Sequence, residues 1–173
     1  ELDFPKVPQR IAVISSEDAA GYIDFMEQLS QNIYNFKFFI QLFSANVQGQ
    51  RALNDITTQF AKVNKQDFDI IVLIRGGGSR LDLEVFNEYA LAAHIAKQPL
   101  PVLTGIGHHK DETVSDIVAH QSLKTPTAVA EFIVSNMLAY WQQVCQQIDA
   151  IHLLVDDKMN QSLTSIELIQ QQI

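Results

Sequence analysis

Two stretches of this chain set a charged or proton-exchanging side chain among glycines: Arg75-Gly76-Gly77-Gly78-Ser79 and Gly105-Ile106-Gly107-His108-His109-Lys110-Asp111. Glycine lets backbone amides approach an anion closely, and a neighbouring arginine adds a planar fork that grips phosphate oxygens in pairs. The first stretch therefore reads as an anion cradle, with Arg75, Gly76, Gly77, Gly78 and Ser79 around a phosphate. It is not a Walker loop, since the closing Gly-Lys-Ser/Thr is missing, and it does not fit the dinucleotide fingerprint. A plain turn is the alternative reading, although three successive glycines cost more backbone entropy than a turn requires. In the second stretch, His108 can exchange a proton near neutral pH, and Asp111 three residues on can fix its tautomer. His109 reads as a bystander, and Lys110 as either solvated or a phosphate contact.

Other titratable residues carry weaker signals. Asp24 falls in the second turn of the first expected helix, near the same edge of the fold, and by itself reads as a solvated carboxylate. Asp116 and His120 read the same way, and His94 reads as structural, on or beside an apolar stripe. Asp24, His108, Asp111 and Asp116 together offer oxygen and imidazole ligands for a divalent cation such as Mg²⁺. That cofactor is an open option, because the four are far apart in sequence.

Positioning these groups requires a scaffold, and hydrophobic patterning supplies one. Ile70-Ile71-Val72-Leu73-Ile74 is an unbroken aliphatic run, the mark of a strand buried on both faces of a parallel sheet. Strands are expected at 10–14, 36–43, 68–74 and 101–104. Helices are expected from Ser15-Ser16 to about Gln31, over 50–64, 82–97 and 112–119, and from Thr125-Pro126-Thr127 toward the end. In the first helix, Ile23, Met26, Leu29 and Ile33 are the expected core face; in the third, Leu83, Phe86, Ala90 and Ala93/His94. The fold class is α/β: an open, mainly parallel sheet of about four strands with helices on both faces, then a long C-terminal helix beginning a coiled coil. Ligands of such sheets bind at the strands' carboxyl ends. Ser15-Ser16, 46–49, 75–79 and 105–111 should thus converge on one crevice.

The expected division is a linker at 1–9, an α/β catalytic domain at 10–135 and the start of a coiled-coil helix at 136–173. Met137, Trp141, Val144, Ile148, Ile151 and Val155 follow heptad spacing, which falters near Met159 and resumes at Leu163, Ile166 and Ile173. The chain has 173 residues, a formal net charge of −8 and one cysteine, Cys145. That rules out a disulfide framework and argues against a generic nucleic-acid-coating surface, although a local pocket escapes the second argument. The first residue is Glu1 rather than Met, so a fragment of a longer protein is expected. With no apolar run of about 18 residues, no membrane span is expected, and a cytoplasmic setting is the simplest reading.

Over 10–135 the chain resembles the large subunit of bacterial exodeoxyribonuclease VII. The resemblance rests on Ala12-Val13-Ile14-Ser15-Ser16 with Ala19-Ala20 and Asp24, then Val47-Gln48-Gly49. It continues through Arg75-Gly76-Gly77-Gly78-Ser79 with Asp82-Leu83 and Phe86-Asn87, and Gly105-Ile106-Gly107-His108 with Asp111, Thr113 and Asp116. Thr125-Pro126-Thr127-Ala128 and Ala130-Glu131 complete the set. Two positions depart from the family pattern: His109 stands for a glutamate, and Ala19-Ala20-Gly21 for Gly-Ala-Ala. The resemblance implies an exonuclease that cuts single-stranded DNA into short oligonucleotides with 5′ phosphates. It carries the family's catalytic roles onto Asp24, Arg75, His108 and Asp111. It also implies an OB-fold outside this chain and a small-subunit partner on the C-terminal helix, with self-association left open. The competing readings are a non-catalytic α/β module that binds a phosphate or nucleotide, and an assembly piece whose helix matters more than its pocket.

Overall fold

The computed structural model describes residues 2–76, 80–106 and 112–170. Five parallel strands form one sheet in the order β2-β1-β3-β4-β5: β1 (Arg10–Ser15), β2 (Phe39–Ser44), β3 (Ile70–Ile74), β4 (Val102–Gly105) and β5 (Gln121–Ser122). The helices are α1 (Ala20–Ser30), α2 (Ala52–Lys62), a 3₁₀ helix (Arg80–Asn87), α3 (Tyr89–Ala96), α4 (Val114–Val118) and α5 (Pro126–Gln170). The chain divides into two units, Glu1–Met137 and Leu138–Ile173.

Alternation along the strands builds two cores, one on each face of the sheet. Ala12, Ile14, Ile71 and Leu73 pack with Ile56 and Phe60 of α2, Phe86 of the 3₁₀ helix and Leu91 and Ile95 of α3. Ile11, Val13, Ile70, Val72 and Ile74 pack with Phe25 and Leu29 of α1 and with Val129, Ala130 and Ile133 of α5. Helices on both faces explain why β1 and β3 are aliphatic throughout: neither side of the central sheet meets water. At the amino ends of these strands, Asp69 accepts from the Gln9 and Arg10 amides at 3.0 and 2.8 Å and pairs with the Arg10 guanidinium at 2.7 Å.

Several boundaries differ from the sequence expectation. Ser15 continues the β1 ladder opposite Ser44, so α1 begins only at Ala20, capped by Ala19 without a side-chain hydrogen bond. Ile23 and Ile33 are exposed, and the buried face of α1 is Gly21, Phe25 and Leu29. A glycine inside and an isoleucine outside reflect close packing. A Cβ on Gly21 would lie 2.7 Å from the Arg75 carbonyl oxygen and 2.8 Å from Pro126 Cγ. Gly21→Ala should therefore destabilise the fold by about 1–3 kcal/mol, the usual cost of overpacking, despite alanine's better helix propensity. Equilibrium urea unfolding reads this directly, and an unchanged midpoint would refute the packing argument. At the 46–49 turn, Gly49 has φ +83° and open space around it, so Gly49→Ala carries backbone strain without a clash.

The second strand starts at Phe39 rather than at 36 because Asn32 captures the preceding backbone. Its amide nitrogen donates to the Leu29 and Phe36 carbonyls at 2.7 and 2.9 Å, and its oxygen accepts from the Phe36 amide at 2.9 Å. The helix expected over 82–97 is two helices, broken at Glu88, whose ψ of 126° is extended. His94 is exposed rather than on the core stripe, its Nδ1 2.9 Å from the Ala90 carbonyl oxygen. His120 is half-buried and stacks on Phe4 with ring centroids 5.4 Å apart. The fifth strand has only two polar residues, Gln121 and Ser122, and so gives no hydrophobic signal.

In the second unit, α5 continues as an exposed helix, with Trp141, Ile148, Ile151, Met159, Leu163 and Ile166 open to solvent in this single chain. Among the described residues, no helix is long and apolar enough to cross a membrane.

Candidate functional site

In the order β2-β1-β3-β4, the connection after β1 leads toward β2 and the one after β3 leads the other way to β4, and a crevice opens where they diverge, outside the carboxyl ends of β1 and β3. Here it has a volume of about 350 Å³. Ser16, Asp18, Ala19 and Ala20 after β1, Asn46, Val47 and Gln48 after β2, and Gly76 after β3 line it. Three of the four loops expected to converge therefore do so. The fourth continues from β4, and its residues 107–111 lie outside the described residues, as do Gly77, Gly78 and Ser79. Two of the four expected catalytic residues, His108 and Asp111, are in that segment.

Of the remaining two, Arg75 extends β3 by one residue, its amide donating to the Gly105 carbonyl at 3.4 Å. The residue is only 6% exposed. Arginine is seldom this deeply buried, so the strand end holds a cation inside the fold next to the crevice. Asp24 is exposed on α1, four residues after the crevice residue Ala20 and on the same helix face. The structure thus keeps Asp24 near the crevice without making it part of the lining.

Sequence reasoning missed the amino end of α1. No side chain caps it, and the Ala20 and Gly21 amides form no hydrogen bond among the described residues. Such amides carry the positive end of the helix dipole and suit an anion. A Cβ on Gly76 would stand 3.3 Å from both of these nitrogens and 3.1 Å from Ala19 Cβ. Glycine at 76 therefore lets the backbone after β3 pack closely on the amino end of α1, where a side chain would crowd it. The legible signal was Ala19-Ala20-Gly21, a run of small residues where a capping side chain was expected. Nearby, Tyr22 has its phenol pKa raised by burial and by the charge of Glu17, so it is neutral throughout the physiological range. Asn46 is held at the crevice by its amide donating to Asp55, in the first turn of α2.

Asp116 corrects the sequence reading outright. It is buried, and both carboxylate oxygens accept hydrogen bonds from within the protein. Oδ1 accepts from Thr104 Oγ1 at 2.6 Å, while Oδ2 accepts from the Thr113 amide and hydroxyl at 3.1 and 2.8 Å. With both oxygens so engaged, it is not the solvated helix carboxylate that its sequence position suggests. Among the described residues, no three His, Cys, Asp or Glu side chains gather as a metal site.

Comparison with known proteins bears on this arrangement. The model of the family described as "Exonuclease VII, large subunit" matches residues 1–173. The exodeoxyribonuclease 7 large subunit of Thermotoga petrophila is 36% identical over 132 residues, 76% of this chain and 33% of that protein. Its namesake from Campylobacter lari is 40% identical over 137 residues, 79% of this chain and 35% of that one. A Cyanothece relative of the same name is 33% identical over 169 residues, or 97% and 39% of the two chains. The chain thus spans about a third of the length of the curated relatives it matches. Among solved structures, the lysine decarboxylase LdcF of Francisella novicida overlaps 77% of this chain and 17% of its own, with 11% identity and a TM-score of 0.40, too slight a likeness to inform the site.

Proposed function

Because the chain belongs to the exonuclease VII large-subunit family, we propose that it is the catalytic part of an exonuclease that hydrolyses single-stranded DNA. The products are short oligonucleotides ending in 5′ phosphates. The observation that carries the reading is buried Arg75 at the end of β3, next to a crevice lined by Gly76 and the bare amino end of α1.

Phosphodiester hydrolysis requires charge stabilisation on the non-bridging oxygens, a positioned water and a proton for the leaving 3′ oxygen. Arg75 and the glycine amides beginning at Gly76 hold the scissile phosphate, and the Ala20 and Gly21 amides add donors the sequence did not advertise. Arg75, Gly76 and the amino end of α1 are set before substrate arrives, so little reorganisation of them is needed as charge builds in the transition state. His108 transfers the proton and Asp111 orients its ring. Asp24, one turn along α1 from the crevice, activates the attacking water. Water attacks phosphorus, the bond to the 3′ oxygen breaks, and that oxygen leaves as a hydroxyl.

The second unit serves assembly in this reading. Its exposed apolar residues, from Trp141 to Ile166, receive the small subunit by helix packing.

The deciding experiment is Gly76→Ala in the full-length polypeptide with the small subunit present. The methyl group would crowd the amino end of α1, 3.3 Å from the Ala20 and Gly21 amide nitrogens, and cleavage of a labelled single-stranded oligonucleotide should fall by about tenfold to a hundredfold. Wild-type failure to shorten the oligonucleotide, with a mononucleotide bound in the crevice, would establish the non-catalytic binding module instead.

A further inference from the structure

We propose that Asp116 is a positioning residue for the reaction, one that clamps together the two ends of the connection running from β4 to α4. The inference rests on the nuclease reading above, because it concerns the residues that this connection carries.

An ordinary capping box needs one carboxylate oxygen at the third helical position, bonded back to the capping residue. Asp116 satisfies that role with Oδ2 alone, through the Thr113 amide and hydroxyl, and its own amide lies 3.3 Å from Thr113 Oγ1. Its other oxygen does something a cap does not require. Oδ1 reaches into the sheet and accepts a 2.6 Å bond from Thr104, the penultimate residue of β4. Thr104 and Thr113 are themselves 0% and 1% exposed, so water does not compete for these bonds. One buried carboxylate therefore joins the residue before the connection to the residue after it.

His108 and Asp111 lie in sequence between those two threonines. A second tie runs toward the other loop: the Val114 amide donates to Asn87 Oδ1 at 3.1 Å, and Asn87 ends the 3₁₀ helix that follows the glycine cluster. The start of α4 is thus fixed to β4 and to the segment downstream of β3. Displacement of a catalytic group by about 1 Å can lower a rate a hundredfold, so holding both ends of its loop has a kinetic consequence.

Thr104→Val tests the clamp without touching the capping box, since valine keeps the shape and removes only the hydroxyl. In the full-length enzyme it should lower kcat on single-stranded DNA about tenfold or more, with KM little changed, while Thr104→Ser restores kcat. Ser115→Ala is the control: that buried hydroxyl has no hydrogen-bond partner among the described residues, and kcat should not move. Backbone hydrogen exchange over 105–112 supplies a readout independent of activity, and should quicken in Thr104→Val but not in Ser115→Ala. Normal kcat and unchanged exchange in a folded Thr104→Val protein would overturn the clamp. Faster exchange with kcat intact would leave a clamp without the positioning role, and so would also overturn the proposal. If the wild type does not cleave DNA, the nuclease reading fails and the positioning role with it, and the exchange measurement still decides whether the clamp exists.

Discussion

Arg75→Ala in the full-length protein should reduce cleavage of single-stranded DNA by about two to three orders of magnitude, the usual loss when one pre-set donor to a developing charge is removed. The effect should fall mainly on kcat, because the phosphate carries most of its added charge in the transition state. Arg75→Lys is the informative partner variant. It keeps a positive charge but loses the planar fork, and should recover only part of the activity. Arg75 is 6% exposed, so alanine also leaves a void where the β3 end meets α1. Circular dichroism and a thermal melt must accompany the kinetics. A variant that is folded at the assay temperature and cleaves at the wild-type rate would remove Arg75 from the mechanism.

His108→Ala should cost a similar amount or more, since a positioned proton-transfer group contributes about 10²–10⁴-fold. The diagnostic is the pH profile. If imidazole moves the proton, the wild-type rate should bend near the ordinary histidine range, about pH 6–7, and the residual rate of the alanine variant should lose that bend. His109→Ala provides the comparison next door and should keep both the rate and the profile. Loss of activity in His109→Ala with His108→Ala unaffected would exchange the two assignments. Asp111→Asn should lower the rate less than His108→Ala, because an amide still accepts a hydrogen bond from the ring while its charge is gone.

The α/β class, the first four strands and a crevice at their carboxyl ends were legible because they depend on local pattern. A run such as 70–74 can be stable only between two covered faces, and a glycine-arginine junction at its end has few other uses. The family motifs pointed to Arg75 and the stretch of His108 in the same way, as short runs of sequence. What the residues could not reveal is set by contacts between distant parts of the chain. Periodicity marked Ile23 as core, yet the Arg75–Gly76 backbone and Pro126 approach α1 so closely that only Gly21 fits there, turning the helix and leaving Ile23 in water.

Asp116 shows the same division from the polar side. Its type and position suit a solvated helix aspartate, and nothing nearby in sequence says that Thr104, twelve residues earlier, will deliver a hydroxyl to it. Only the packing of α4 beside β4 makes that carboxylate a buried tie. The crevice has this origin too. The sequence alone determined that a glycine-rich stretch beginning with Arg75 follows a buried strand. The tertiary structure decided that the unadorned amino end of α1 stands opposite Gly76, because sheet order brings β1 and β3 side by side although 54 residues separate Ser15 from Ile70 along the chain.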